Sequence, residues 1–499
     1  MIRRACIAAG CVIATLACAG PALAQATFQS QPIGGRSALM GGTGIALGRD
    51  GGGPFLNPAT ITHVDDSGVA FSVNFYSFQY SNLTDFHQPG NASSSKYGNL
   101  SLPSPSLNSS RLDALPSTLC LFLTIGNWGD NRRLDEREPH PHRKGHRKLA
   151  ACVASPERAA FGATASGYAG DSAGVHVSQA TSVNQFWNRV YVGPSYSAYV
   201  SDTVALGASL HGVGTITSST WSVDTVLYDT SGNGSSSSYA TAMSAYSVEL
   251  EAVLGMVWHI DDKQTLGLSL STPSLHLFGH YDGTASVQAV DGTTGATLTT
   301  ASGGYRTPLP IRVGAGLGAE IGRGQIEADM NAYIPVTYLA RADVQASQTV
   351  VTGGAATLST PAQTLTVSGR PIVDAGLGFE TFLSPGFSLL FGGRTDLSAV
   401  DPLPASPPIG TLAQTRMQRV AGSFGLGSYG DGSELLFGTE LSFGWGKSIA
   451  VDSLVSPPAL ALVQQRTFGA MLVVAGGVSL TSVKRTLRDL QNVVRIPAK

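Results

Sequence analysis

Apolar and polar residues alternate along most of this chain, in runs of ten residues or more. In 325–334, Ile326, Ala328, Met330, Ala332 and Ile334 interleave with Gln325, Glu327, Asp329, Asn331 and Tyr333. In 433–446 one face carries Leu435, Phe437, Leu441, Phe443 and Trp445, and the other Glu434, Gly438, Glu440, Ser442 and Gly444. Segment 247–260 sets Val248, Leu250, Leu254 and Trp258 against Ser247, Glu249 and Glu251, and 311–321 sets Val313, Leu317 and Ile321 against Arg312, Gly314, Gly316 and Gly318. A period of two sustained over such lengths predicts strands, not helices.

The connections fall into two alternating classes. Short turns are expected near Ser201-Asp202, Asp261-Asp262-Lys263, Gly322-Arg323-Gly324, Ser384-Pro385-Gly386 and Asp431-Gly432. Between them, long Ser/Thr/Gly/Ala-rich loops are expected at roughly 218–241, 280–306, 339–369, 398–415 and 448–465. A soluble sandwich also alternates, but its strands run about 5–6 residues with similar connections at both ends. Long strands with short turns at one end and long loops at the other describe an outer-membrane barrel. Strands are expected near 68–80, 117–126, 147–160, 189–200, 203–217, 243–260, 264–279, 308–321, 325–338, 370–382, 387–397, 416–428, 433–446 and 467–480. The expected fold is therefore all-β, an antiparallel transmembrane barrel of about fourteen strands with both ends on the periplasmic side.

Composition sharpens this. The 499 residues include 60 Gly, 13% are charged, and the formal charge is -2, so no basic field invites nucleic acid. Arg3, Arg4, the apolar run Ile7 to Ala19 and Ala22-Leu23-Ala24 form a secretory signal cleaved before Gln25. No later run reaches the roughly 18 apolar residues of a transmembrane helix, whereas a membrane-crossing strand needs only about 9–11. The stretch 130–148 breaks the texture with Arg132, Arg133, Arg137, Arg143, Lys144, Arg147 and Lys148, and reads as a solvated loop. Its His140, His142 and His146 carry no metal site in that setting, and no cofactor is expected.

Between the signal and the first strand lies PIGGRSALMGGTGIALGRDGGGPFLNPATI, Pro32 to Ile61, Gly-rich and without strand pattern. A barrel of fourteen strands holds an open lumen unless something fills it, and this segment stands where a plug would be. Its order of Gly-rich run, small apolar residues, Asp and then Asn-Pro-Ala resembles the FadL-type family of transporters for long-chain fatty acids and other hydrophobic compounds. The matching positions are Gly41, Gly42, Ala46, Asp50, Asn57, Pro58 and Ala59. The resemblance implies a hatch inside a fourteen-stranded barrel and passive uptake of a hydrophobic small molecule across the outer membrane. The partners it implies are that ligand, outer-membrane lipids and the barrel-assembly machinery. The chain departs from the family in its charged 130–148 segment, its polar tail and its Ser/Thr/Gly-rich loops. A general diffusion porin, or a surface barrel whose loops bind an external partner, are the alternatives. The expected organisation is signal 1–24, hatch 25–66, barrel 67–480 and polar periplasmic tail 481–499.

No catalytic constellation emerges. Gly170-Asp171-Ser172-Ala173-Gly174 fits G-x-S-x-G without the strand-to-helix elbow that motif needs. Gly425 to Gly430 fits G-x-G-x-x-G within a strand and with no helix after it. The inward acids Glu249, Glu251, Glu327 and Asp329 are expected to line a wet lumen with Arg189 and Arg312. Two positions stand out in the wall. Pro194 falls mid-strand among lipid-facing Val190, Val192, Tyr196, Ala198 and Val200, where a missing N–H can open a lateral exit. Cys120 and Cys152, the two cysteines left after signal removal, should face inward on consecutive antiparallel strands and form a disulfide.

Overall fold

A computed structural model describes residues 27–64, 67–84, 107–125, 146–170, 176–228, 231, 234–290, 295–335, 338–352, 355–403, 415–430, 432–452 and 459–482. The signal region 1–24, most of the charged stretch 130–148, most of the tail 481–499 and Asp171 to Gly174 lie outside these residues.

The strands are β1 Gly68–Thr84, β2 Leu107–Ile125, β3 Arg147–Gly170, β4 His176–Tyr199, β5 Val204–Tyr228, β6 Gly234–His259 and β7 Gln264–Ser271. Then come β8 Leu275–Val290, β9 Gly295–Arg306, β10 Ile311–Ile321, β11 Gly324–Ile334, β12 Ala340–Thr352, β13 Ala355–Ser359 and β14 Ala362–Val367. The last five are β15 Ile372–Ser384, β16 Phe387–Asp396, β17 Thr415–Gly430, β18 Ser433–Asp452 and β19 Ala459–Ser479. Nearest the short turns, fourteen of them form the wall: β1 to β7, β10, β11 and β15 to β19. Each is antiparallel to its neighbour, β7 joins β10, β11 joins β15, and β19 closes on β1 with Gly68 opposite Ser479. The fourteen expected strands each overlap one of these, and the chain enters and leaves the barrel at the same end.

Proline explains the remaining segments. Beyond the breaks at 272–274, 307–310, 335 with 338–339, and 368–371, β8 continues β7, β9 leads into β10, β12 continues β11, and β13 and β14 lead into β15. Every break contains a proline, namely Pro273, Pro308 with Pro310, Pro335 and Pro371, and Pro361 separates β13 from β14. Each lacks the N–H that the ladder requires and so ends regular pairing.

The alternation reverses its polarity along the strands. Near the turn end of β4, Val192 and Tyr196 face outward and Ser195 and Ser197 are buried inside. Further from the turn, Val177, Val183 and Trp187 are buried inside while His176, Ser178, Ser182 and Asn184 face out. In β5, Leu206, Leu210 and Ile216 are exposed near the turn, and Trp221 and Val223 are buried beyond it. The turn end is thus polar inside and apolar outside, the pattern of a wall in lipid. The far end carries its large apolar side chains inside, where Leu83, Leu107, Phe161, Val183, Trp221, Tyr239 and Val463 form one core among buried polar residues such as Gln179, Thr181 and Gln185.

This corrects the expectation of long loops. Residues 218–228, 234–241, 280–290, 295–306, 340–352, 355–359 and 362–367 are strand, as are the described ends of 448–465. Outside the bilayer the outward positions need no apolar side chains, so Ser and Thr replace them. β-branched Thr still favours the strand, but the apolar signal disappears.

Candidate functional site: a plugged lumen with a small cavity

The N-terminal segment fills the turn end of the barrel. Arg36–Leu39 and Gly53–Leu56 form single helical turns, and Pro58–His63 forms a 3-10 turn. Asn57 caps that turn, its Oδ1 accepting from Ala59 N at 3.1 Å with Pro58 at the first position. Proline tolerates this place because its missing N–H would have no partner there. Asp50 organises the other half, accepting from Ser37 N at 2.8 Å, Ser37 Oγ at 2.9 Å and Gly52 N at 2.9 Å.

Wall residues from opposite sides hold this segment. On β11, Asp329 accepts from Gly44 N at 2.8 Å and Ile45 N at 3.0 Å, while Glu327 accepts from Ala46 N at 2.7 Å and Leu47 N at 2.9 Å. On β15, Glu380 is bonded by Arg36 Nε at 2.7 Å and Arg49 Nη2 at 3.1 Å. Burial works against the Arg36 charge, and Glu380 offsets it, holding the guanidinium above its usual value. Asn57 Nδ2 donates to Ile45 O at 2.6 Å and to Met256 O on β6 at 2.9 Å. Arg312 on β10 donates to Phe55 O at 2.5 Å, and Arg394 on β16 donates to Gln29 O. Anchors from β6, β10, β11, β15 and β16 converge on one segment only if it lies in the lumen.

Inward glycines make the room. A Cβ on Gly255 would sit 2.0 Å from Asn57 Oδ1, on Gly267 1.9 Å from Ile45 O, and on Gly392 2.0 Å from Gly41 N. Gly41 itself has φ +69°, and a Cβ there would meet Gly393 N at 2.5 Å. Both the left-handed backbone and the close approach call for glycine at this position.

The hatch positions therefore come together. Gly41 and Gly42 turn the chain against β16, Ala46 bonds Glu327, Asp50 ties 37 to 52, and Asn57-Pro58-Ala59 seats on β5 and β6. The reading of the inward acids needs correction. Glu327 and Asp329 clamp the plug rather than line a wet lumen. Arg189 is paired with Glu157 at 2.7 Å, and Glu249 accepts from His276 Nδ1 at 2.8 Å. Sequence reading missed these anchors, although glycines alternating with apolar residues in 311–321 already marked an inner face too crowded for side chains. The G-x-G-x-x-G run lies inside β17. Among the described residues no group of three or more His, Cys, Asp or Glu is placed to hold a metal ion.

Cys120 and Cys152 stand opposite each other on β2 and β3, 4.2 Å apart at Cα and joined as a disulfide. The β2–β3 ladder runs from Ile125–Arg147 up to Thr118–Ala154 and goes no further. Pro116 and Pro156 lie just beyond that last pair, one on each strand, and neither can donate to a ladder. The strands meet again where Gly162 N donates to Ser109 Oγ at 3.1 Å. The seam between is bordered by the plug, with Gln31 N donating to Pro156 O at 2.9 Å and Ser30 Oγ to Arg158 O at 3.2 Å. Pro194 faces outward on β4, where pairing with β5 skips from Val192–Gly212 to Ser195–Ser209. The longer discontinuity is thus at the β2–β3 seam, one strand pair away.

Above the plug and beside this seam is a cavity of about 60 Å³, lined by Phe28, Phe55, Pro156, Leu309, Arg312 and Tyr333 among others.

No family model and no curated protein matches this chain. Solved structures do. A Pseudomonas aeruginosa FadL homologue is similar with a TM-score of 0.52 at 15% identity, covering 92% of this chain and 100% of that one. The Pseudomonas putida toluene transporter TodX is similar with a TM-score of 0.51 at 13% identity, covering 90% and 99%. At these identities the likeness is one of fold. A closed fourteen-stranded barrel with an apolar outer face at its turn end is a membrane-spanning wall of the outer-membrane type, and its fold is that of the FadL-type channels.

Proposed function

We propose that this protein is a passive outer-membrane channel for hydrophobic small molecules such as hydrocarbons or long-chain fatty acids. One observation carries the reading: a lumen filled by a seated plug, with an aromatic-walled cavity where the plug borders the β2–β3 seam. A water-filled porin keeps its lumen open, whereas here the plug backbone is bonded to the wall on several sides. The hydrophobic cargo of similar folds supports the reading, TodX being a toluene transporter. In this scheme a ligand reaches the cavity when the plug shifts and leaves sideways or inward. Pro194 and the β2–β3 seam are the two candidate lateral exits.

Planar bilayers test the scheme. The intact protein should pass little ion current, and deletion of 32–60 should raise it strongly while uptake of an apolar solute loses saturation. Equal conductance before and after the deletion would remove the plug from the scheme.

A further inference from the structure

We propose that His211 and Glu251 make the plug cavity selective for a neutral, hydroxyl-bearing apolar molecule of the phenol kind. The inference rests on the cavity being the ligand site of the channel proposed above. His211 is fully buried, and neither ring nitrogen has a hydrogen-bond partner. Its ring stacks on Phe55 of the plug, 4.8 Å between centroids and 21° between planes, with Tyr191 edge-on at 6.1 Å. The β5–β6 register sets Glu251 directly across from it, and both side chains line the cavity. Arg312 lines it too, with one nitrogen on Phe55 O and its buried Nε unpartnered.

The open valences define what fits. A neutral imidazole offers one donor and one acceptor, a carboxylate accepts, and a guanidinium nitrogen only donates. A hydroxyl both donates and accepts, so it can satisfy this mixed set. A plain hydrocarbon would leave the imidazole nitrogens unpaired, and a site built around buried polar groups discriminates against a ligand lacking the partner. A ligand carboxylate only accepts, so it has no hydrogen to give to the imidazole acceptor nitrogen or to the Glu251 oxygens and leaves both without a partner. The body of the ligand has aromatic and aliphatic walls to lie against in Phe55, Tyr333 and Leu309.

Calorimetric titration of the purified full-length barrel with p-cresol, toluene and p-toluate tests this. p-Cresol should bind at least about ten-fold more tightly than toluene, the cost of leaving a buried polar group unpaired, and p-toluate should bind more weakly than p-cresol. His211→Phe keeps a stacking ring and should abolish the p-cresol preference while toluene affinity holds or rises. Glu251→Gln should keep the p-cresol preference and improve p-toluate. Equal affinity for p-cresol and toluene in the unaltered protein overturns the proposal without any variant, as does a preference that survives His211→Phe. If none of the three compounds binds either protein, the cavity is not the ligand site and the channel reading of it falls as well.

Discussion

Two stretches of β5 show how one alternation serves two solvents. Between Leu206 and Ile216, Leu206, Leu210 and Ile216 point out, while Ser209, His211, Val213 and Thr215 point in. From Thr217 to Thr225 the large apolar side chains, Trp221 and Val223, point in, while Ser218, Thr220 and Asp224 point out. The backbone pairing with β6 runs through both without a shift. Period alone therefore says strand, and the phase of the apolar set says whether lipid or water lies outside. A strand of 25 residues exceeds the roughly 9–11 needed to cross a bilayer, and the surplus folds like a soluble barrel around its own core.

That contrast can be broken at either end. The largest effect should come from Trp221→Ala, which hollows the far core and should destabilise it by about 3–5 kcal/mol. Proteolysis of the outer half should then accelerate while the membrane-embedded half stays protected, and uniform protection would mean the far core is not a separate stabilising unit. Next is Leu254→Arg, a charge placed on the outer face of β6 near mid-bilayer, expected to cost about 2–4 kcal/mol. Ser238→Arg, on the outer face of the same strand beyond the polarity switch, should stay within roughly 0.5 kcal/mol. Urea unfolding in lipid vesicles separates the two, and similar costs would erase the distinction. Asn57→Ala leaves the Ile45 and Met256 carbonyls short of a donor inside the turn end, a loss of about 1–3 kcal/mol. It should loosen the plug without unfolding the wall and show as intermittent ion current, and a silent bilayer would place the seat elsewhere. Smallest is Pro194→Val, which can restore an amide donor to the interrupted β4–β5 ladder. Slower uptake of an apolar solute marks that interruption as an exit, and an unaffected rate leaves the β2–β3 seam or the inward route.

Fourteen strands and their tight turns were legible because lipid demands apolar residues at alternate outward positions, as Leu435, Phe437, Leu441 and Phe443 display. The outer halves of β8, β9 and β12 were not, because no such demand acts on Asp282, Thr284 or Ser302. Gly41, Gly42, Asp50 and Asn57 marked a plug by composition and order. Its seat was hidden, since Glu327 meets Ala46 across a sequence separation of 281 residues and nothing local to either announces the pairing. The proline breaks were visible one by one, but that Pro116 and Pro156 fall on neighbouring strands just above one cystine emerges only from the register.

That cystine also governs what happens when the chain is cut. The sulfurs are 32 positions apart in sequence, and the interval between them contains the basic run from Arg132 to Arg147, rich in sites for a trypsin-like protease. A single nick there divides the polypeptide yet leaves its two pieces covalently joined, with the β2–β3 ladder below the seam still paired. On a denaturing gel the nicked protein should migrate as one species until a reductant is added, and only then as a short N-terminal piece and a long remainder.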